Sequence, residues 1–172
     1  MEYLELDTSL SDEAKAMSKT AEKFGMEVMR PAGIELDRLA EPEEVIADGS
    51  VLWDVIKQFR ELGFHKTAFA KEFGGMREDM DPKTGPLVSE AMGYADAGLA
   101  VSLGASGFPF QMAAFSQEPE LKDMVRAYCE DTEGKIIGCW AITEPDHGSV
   151  IAQQPTISAS RSSEYSRAQF RT

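Results

Sequence analysis

The stretch LSDEAKAMSKTAEKFGMEV, residues 10–28, decides the helical character of this chain. Its apolar residues recur at steps of three and four, which places them on one face of an α-helix. They are Leu10, Ala14, Met17, Ala21, Phe24 and Val28. Ser9 and Asp12 resemble a capping box at the start of this helix, and Pro31 predicts its end. The stretch therefore predicts an amphipathic helix that packs against other elements.

Two further helices are predicted downstream. Ser50 is placed to cap the first of them and Gly63 to end it. Its apolar stripe consists of Leu52, Val55, Ile56, Phe59 and Leu62. The next helix, residues 87–95, is expected to place Leu87, Val88, Ala91, Met92 and Tyr94 mostly inward. The intervening residues 32–49 and 64–86 are acidic or rich in Gly and Pro, which is typical of irregular structure and loops.

The second half of the chain predicts more helix and then a strand. Residues 99–115 are almost all small or apolar, which predicts a buried helix with a kink near Pro109. Residues 119–128 form a shorter amphipathic pattern, and residues 136–142 are β-branched and aromatic, which favours a strand. We therefore expect a mainly α protein, an N-terminal helical bundle followed by the first strand or strands of a truncated β domain.

Composition narrows the class of protein. The 172 residues carry a formal net charge of −13, which argues against nucleic-acid binding because that needs clustered Lys and Arg. No apolar run is long enough for a membrane span, and residues 1–7 lack the pattern of a secretory signal. Two cysteines do not make a disulfide framework, so reduced thiols and a cytoplasmic location are expected. His65 and His147 stand alone, so no metal site is predicted.

A chemical motif follows the predicted strand. Residues 139–149, CWAITEPDHGS, run from an apolar strand into a Thr-Glu-Pro-x-x-Gly-Ser turn. This order resembles the flavin-facing signature of the acyl-CoA dehydrogenase family. Residues 62–64 and 71–75 resemble that family's Leu-Gly turn and its Gly-Gly loop, and residues 89–100 resemble the helix that follows. The resemblance spans residues 8–149, and it suggests a helical domain over residues 1–134 and the start of a β domain, with an irregular or disordered tail, over residues 135–172.

The resemblance also implies site residues. It implies that four residues lie along the isoalloxazine ring of FAD: Trp140, Ala141, Ile142 and Thr143. Ser149 is implied to contact the FAD pyrophosphate or the acyl-CoA, and Ser106 to line the fatty-acyl pocket formed by residues 99–115. Residue chemistry by itself leaves another interpretation open, a β-turn after a core strand in which Thr143 and Ser149 only bond backbone. The same small residues around Ser106 suit close helix packing equally well.

The implied activity is FAD-dependent α,β-dehydrogenation of an acyl-CoA thioester in fatty acid metabolism, with an electron-transfer flavoprotein as partner and a homo-oligomeric parent enzyme. The family's catalytic base is a Glu of a C-terminal bundle, and no residue here matches it, so no catalytic residue is assigned. The chain is expected to be an N-terminal fragment that is inactive alone. Two alternatives stay open: a non-catalytic helical binding module from the same family, and a replaced sequence after Ser149, where Val150 stands in place of the family's Asp.

Overall fold

The computed structural model describes residues 10–139, and these residues are mainly helical. The α-helices are α1 (Asp12–Phe24), α2 (Arg30–Leu36), α3 (Pro42–Val45), α4 (Val51–Glu61), α5 (Thr84–Ala95), α6 (Ala97–Ala105), α7 (Phe108–Ala113) and α8 (Pro119–Glu130). A π-helix, Gly25–Met29, joins α1 to α2, and short 3-10 turns cover Phe64–Lys66, Lys71–Phe73 and Arg77–Asp79. All of these elements belong to the first of two compact units, Met1–Gly138 and Cys139–Thr172. The prediction of a mainly α fold is confirmed.

Helix α1 begins two residues later than the predicted capping box implies. The Ser11 hydroxyl accepts a hydrogen bond from the Ala14 N–H at 3.1 Å, and Ser11 has the extended backbone of an N-cap residue. The assignment of the cap to Ser9 is therefore wrong, because Ser11 is the residue directly before the first helical turn and its side chain reaches the unpaired N–H groups there. Ser9 itself lies outside the described residues.

The cap of α1 gives a first testable prediction. The variant Ser11→Ala is expected to lower the free energy of unfolding by about 1 kcal/mol, because one N–H of the first turn loses its acceptor. Urea unfolding followed by circular dichroism measures the change. Ser9→Ala is the matched control and is expected to leave stability unchanged. A loss in Ser9→Ala that equals or exceeds the loss in Ser11→Ala would contradict this account of the helix start.

The sequence predicts that Pro31 ends the first helical segment, but the helical backbone continues past it. The π-helix Gly25–Met29 changes the hydrogen-bonding pattern, and Pro31 then occupies the first turn of α2. The backbone stays helical through this junction, and the Arg30 N–H donates to the Gly25 carbonyl in the π-helical pattern. Pro31 therefore follows a local change in the hydrogen-bond ladder, which is where a helix accommodates a proline. Gly25 lies against α5, where an added Cβ would come within 2.8 Å of the Ala95 Cβ. The segment after Pro31, predicted to be irregular, contains α2 and α3.

Helix α4 follows its sequence pattern closely. The Ser50 hydroxyl accepts from the Leu52 N–H at 3.3 Å, and Gly63 has the left-handed φ of 74° that ends the helix. The apolar stripe is buried with the exception of Leu62, whose side chain is exposed. Helix α5 begins at Thr84, earlier than predicted, and Tyr94 on this helix is exposed rather than inward. Both exposed residues lie at helix ends, where the packed face is not continued.

The core consists of two clusters of buried side chains. The larger cluster joins α1, α4, α5 and α6 and contains the Phe24, Phe59 and Phe64 rings, whose centroids lie about 6 Å apart. The smaller cluster lies under α7 and α8. Its members are Phe69, Phe73, Phe110, Val125, Tyr128 and Cys129. The helices α1, α4, α5, α6, α7 and α8 therefore each contribute one buried face to these clusters.

The prediction of one buried helix over residues 99–115 is wrong in two respects. The segment forms two helices, α6 and α7, and the break falls at Gly107, so Pro109 lies in the first turn of α7 rather than at a kink. Several of its side chains are exposed. They are Val101, Phe108, Met112 and Phe115, with Phe115 exposed by 76%. A sequence apolar on all sides does not reveal that only one face of these helices is covered within the described residues.

Candidate functional site

The segment of residues 135–138, directly before the flavin-like motif, is held by three hydrogen bonds. The Ile136 N–H donates to the Asp131 carboxylate at 2.7 Å, and its carbonyl accepts from Arg60 Nη2 at 2.9 Å. The Gly138 N–H donates to the Ser106 carbonyl at 3.2 Å. These bonds use the backbone groups that a strand would offer to a neighbour. The strand predicted over residues 136–142 is therefore absent up to residue 139, and its remainder lies outside the described residues.

Gly138 allows this segment to approach α7 closely. A Cβ on Gly138 would lie 2.5 Å from the Ser106 carbonyl oxygen and 2.9 Å from Phe110 Cε2. No ordinary side chain is accommodated at such distances, and glycine is the usual choice where backbone meets its neighbours this closely. The residue before the predicted flavin-facing stretch is thus fixed by lack of space as well as by a hydrogen bond.

Asp131 organises the turn between α8 and this segment. Its two carboxylate oxygens accept from the N–H groups of Glu133 at 3.0 Å and Ile136 at 2.7 Å. Burial raises the pKa of Asp131, but the backbone N–H groups of Ile136, Lys135 and Glu133, with a contribution from the positive charge of Arg60, outweigh it and lower the pKa below its usual value. The carboxylate is consequently held in its charged form, which is the better acceptor.

This arrangement predicts that Asp131→Asn destabilises the chain. An amide offers one acceptor oxygen in place of two, so one backbone N–H loses its partner, at a cost of about 1–2 kcal/mol. Denaturant unfolding measures the difference. Asp123→Asn, on the exposed side of α8, is the matched control because it removes only a surface ion pair with Arg126 and is expected to change stability by less than about 0.5 kcal/mol. Equal effects of the two variants would count against the role of Asp131.

Arg60 is a buried cation at the end of α4. Its side chain is 1% exposed, and its guanidinium carbon lies 4.0 Å from the centre of the Tyr128 ring. Apart from the bond from Nη2 to Ile136, the Nε and Nη1 atoms have no hydrogen-bond partner among the described residues. Within residues 10–139 no carboxylate forms an ion pair with it. A buried charge with so few partners is rare in proteins.

His65 lies beside the same tyrosine. Its Nε2 is 3.1 Å from the Cys129 carbonyl oxygen, and its ring meets the Tyr128 ring edge-on at 5.7 Å. A carbonyl only accepts, so Nε2 carries the proton in the neutral ring, and Nδ1 is a buried acceptor without a partner among residues 10–139. Burial, together with the positive charge of Arg60, lowers the pKa of His65 from 6.5 to about 4. His65 is therefore neutral at physiological pH.

A small cavity lies against Arg60. It has a volume of about 20 Å³ and is lined by Ile56, Arg60, Ser102, Leu103, Ser106 and Ile137. A volume of this size admits one water molecule or one small ion. Pockets that hold a flavin or a fatty-acyl chain are usually about 300 Å³ or larger. This cavity is therefore too small to be a cofactor pocket or an acyl pocket.

The sequence-predicted site residues fall in two places. Ser106 is half-buried beside the cavity, where its hydroxyl donates to the Leu103 carbonyl at 2.9 Å and lies 3.5 Å from the Tyr128 hydroxyl. The other predicted site residues lie outside the part of the chain that the structure describes: Trp140, Ala141, Ile142, Thr143 and Ser149. Sequence reasoning missed Arg60 and Asp131. In the sequence, Arg60 is a charged residue beside the apolar stripe of α4, and such a position is ordinarily exposed.

Two kinds of feature are absent from residues 10–139. No group of three or more His, Cys, Asp or Glu side chains there is placed to hold a metal ion. Within the same part of the chain, no helix combines the length and the apolar character that crossing a membrane requires.

Comparison with known proteins identifies the family. The family model for the N-terminal domain of acyl-CoA dehydrogenases matches residues 11–123. No curated protein and no solved structure matched the chain. The match covers more than half of the sequence and extends from the cap of α1 into α8. This chain belongs to the acyl-CoA dehydrogenase family, and residues 11–123 correspond to that family's N-terminal domain.

Proposed function

We propose that this chain supplies the N-terminal helical domain and one wall of the flavin site to an FAD-dependent dehydrogenase that oxidises an acyl-CoA thioester between its α and β carbons. The observation that carries this proposal is the family match over residues 11–123. FAD, when bound, supplies the hydride acceptor, and the protein contributes position and polarity around it. The chain divides, in this proposal, into a helical domain of residues 1–134 and the start of a β domain at residues 135–172.

The flavin wall is proposed to consist of Trp140, Ala141, Ile142 and Thr143, with Ser149 near the FAD pyrophosphate or the acyl-CoA. The hydrogen bonds of Ile136 and Gly138 support this assignment, because they fix the backbone just before these residues. A cofactor site gains from such a fixed approach, since ordering the segment beforehand lowers the entropic cost of binding. Ser106 is proposed as a contact of the acyl chain.

The proposed partners follow from the family. They are an acyl-CoA substrate, an electron-transfer flavoprotein and further copies of the chain, within fatty acid metabolism. A cytoplasmic location is proposed from the low cysteine content. The exposed apolar side chains on α6 and α7 support association, because such patches mark surfaces that other protein covers. Light scattering over a range of concentrations tests this, with self-association as the expected result and a monomer at high concentration as the contrary one.

Catalysis is tested by acyl-CoA-dependent reduction of a redox dye in the presence of FAD. The purified chain alone is expected to show no turnover, because none of its residues matches the base that removes the α-proton in this family. Turnover by the chain alone would overturn the proposal that the base lies elsewhere. A non-catalytic helical binding module is the second candidate, favoured by the same lack of a matching base. It predicts a stable chain that binds neither flavin nor acyl-CoA.

A further inference from the structure

We propose that Arg60 binds a monovalent anion of halide size in the cavity that it lines with Ser102 and Ser106. This site adjoins the proposed acyl-chain contact and shares Ser106 with it. The cavity volume of about 20 Å³ suits a single small ion. The ligand class is therefore a small inorganic anion rather than a nucleotide or a carboxylic acid.

The charge balance around Arg60 favours an anion. The side chain is 1% exposed, and its Nε and Nη1 atoms lack hydrogen-bond partners among the described residues. Asp131 interacts with Arg60 electrostatically, but no carboxylate among residues 10–139 lies within ion-pair distance of the guanidinium. A buried cation that has neither a paired charge nor a full set of hydrogen bonds is costly. An anion supplies both, whereas a water molecule supplies hydrogen bonds without the charge.

The remaining walls of the cavity are compatible with this ligand. Ser102 brings a hydroxyl group to the wall, whereas the Ser106 hydroxyl donates to the Leu103 carbonyl and contributes only its surface. Ile56, Leu103 and Ile137 provide apolar surface that strengthens the attraction between opposite charges. Ser102 and Ile137 are exposed, which gives a small ion a route from solvent. His65, the other basic group next to Tyr128, does not compete for the anion, because it is neutral.

The test compares the thermal unfolding of the full chain in sodium chloride, sodium bromide and sodium gluconate at equal ionic strength. Gluconate is too large for the cavity, so it controls for screening of surface charge. The expected result is a saturable rise in Tm with chloride or bromide relative to gluconate, of about 4 °C at ten times the dissociation constant. Equal Tm values in the three salts would overturn the proposal and indicate a water molecule at Arg60.

Two variants assign the effect to this site. Arg60→Met keeps much of the aliphatic length and is expected to lose the difference between halide and gluconate. Arg77→Met removes an exposed cation, which is paired with Glu78, and is expected to retain it. A difference that persists in Arg60→Met would overturn the proposal. If Arg60→Met does not fold, the unmodified chain is tested by measuring the line width of the chloride NMR signal in its presence. Excess broadening that added bromide removes supports the site. A chloride signal without excess broadening overturns the proposal.

Discussion

Replacing Gly75 by alanine is expected to destabilise this protein by at least about 3 kcal/mol, the largest effect of any single substitution considered. A Cβ at this position would overlap the carbonyl carbon and oxygen of Phe69 and lie 2.7 Å from the Phe69 Cβ. The obstacle is backbone, which cannot rotate away as a side chain does. The same carbonyl accepts the Arg77 N–H at 3.0 Å, and the Gly75 N–H bonds to Ala70. Relief of the overlap therefore breaks the turn as well.

Gly93→Ala is the matched control for this substitution. Gly93 lies within α5, and nothing stands within 4 Å of an added Cβ. Alanine is expected to stabilise the chain there by about 0.5–1 kcal/mol, because it favours the helix over glycine. Urea unfolding of both variants measures the two effects. A Gly75→Ala chain whose stability lies within about 1 kcal/mol of the parent would show that the close contact with Phe69 is wrong.

Acidification from pH 7 to pH 4 is expected to remove about 3 kcal/mol of stability through His65 alone. The pKa of His65 is 6.5 in the unfolded chain and about 4 in the folded one, so the unfolded state binds a proton over this window and the folded state does not. Stability therefore falls as the pH drops below 6.5, and this contribution levels off below pH 4. The physical cause is burial, reinforced by the positive charge of Arg60.

The variant His65→Gln isolates this contribution. Glutamine does not titrate, and its amide can donate to the Cys129 carbonyl as the Nε2–H does. The free energy of unfolding is measured at several pH values for both chains, and the pH-dependent difference between them is expected to match the window from 6.5 to 4. A constant difference across this window would contradict a neutral, buried His65. Other acids in the chain cancel in the comparison.

Local signals in the sequence were sufficient for some helices and insufficient for others. Helix α4 was predicted from its Ser50 cap, its apolar stripe and Gly63, because each of these signals acts within a few residues of the chain. Pro31 was misinterpreted because proline both ends helices and begins them, and the π-helix before it has no sequence signature of its own. The exposed side chains of α6 and α7 depend on which elements pack against them, which is a tertiary property.

The candidate site likewise combines residues that local sequence could identify and residues that only the fold brings together. The stretch after Gly138 was identified through its resemblance to a family signature, and the family itself is confirmed over residues 11–123. Arg60 and Asp131 were not found because they are distant in sequence, and the fold brings both to the backbone of Ile136. A charged residue next to an apolar stripe normally faces solvent. Arg60 is buried here because Tyr128 of α8 and the segment of residues 135–138 cover it.

The visible absorption spectrum of the purified chain, recorded with and without added FAD, tests the central claim most directly. If this chain forms one wall of a flavin site, added FAD is expected to give a saturable change in the shape of the oxidised flavin band, with weak affinity because the other walls are contributed from elsewhere. Spectra that equal the sum of free FAD and protein at every FAD concentration would contradict the claim and favour a helical module that binds no flavin.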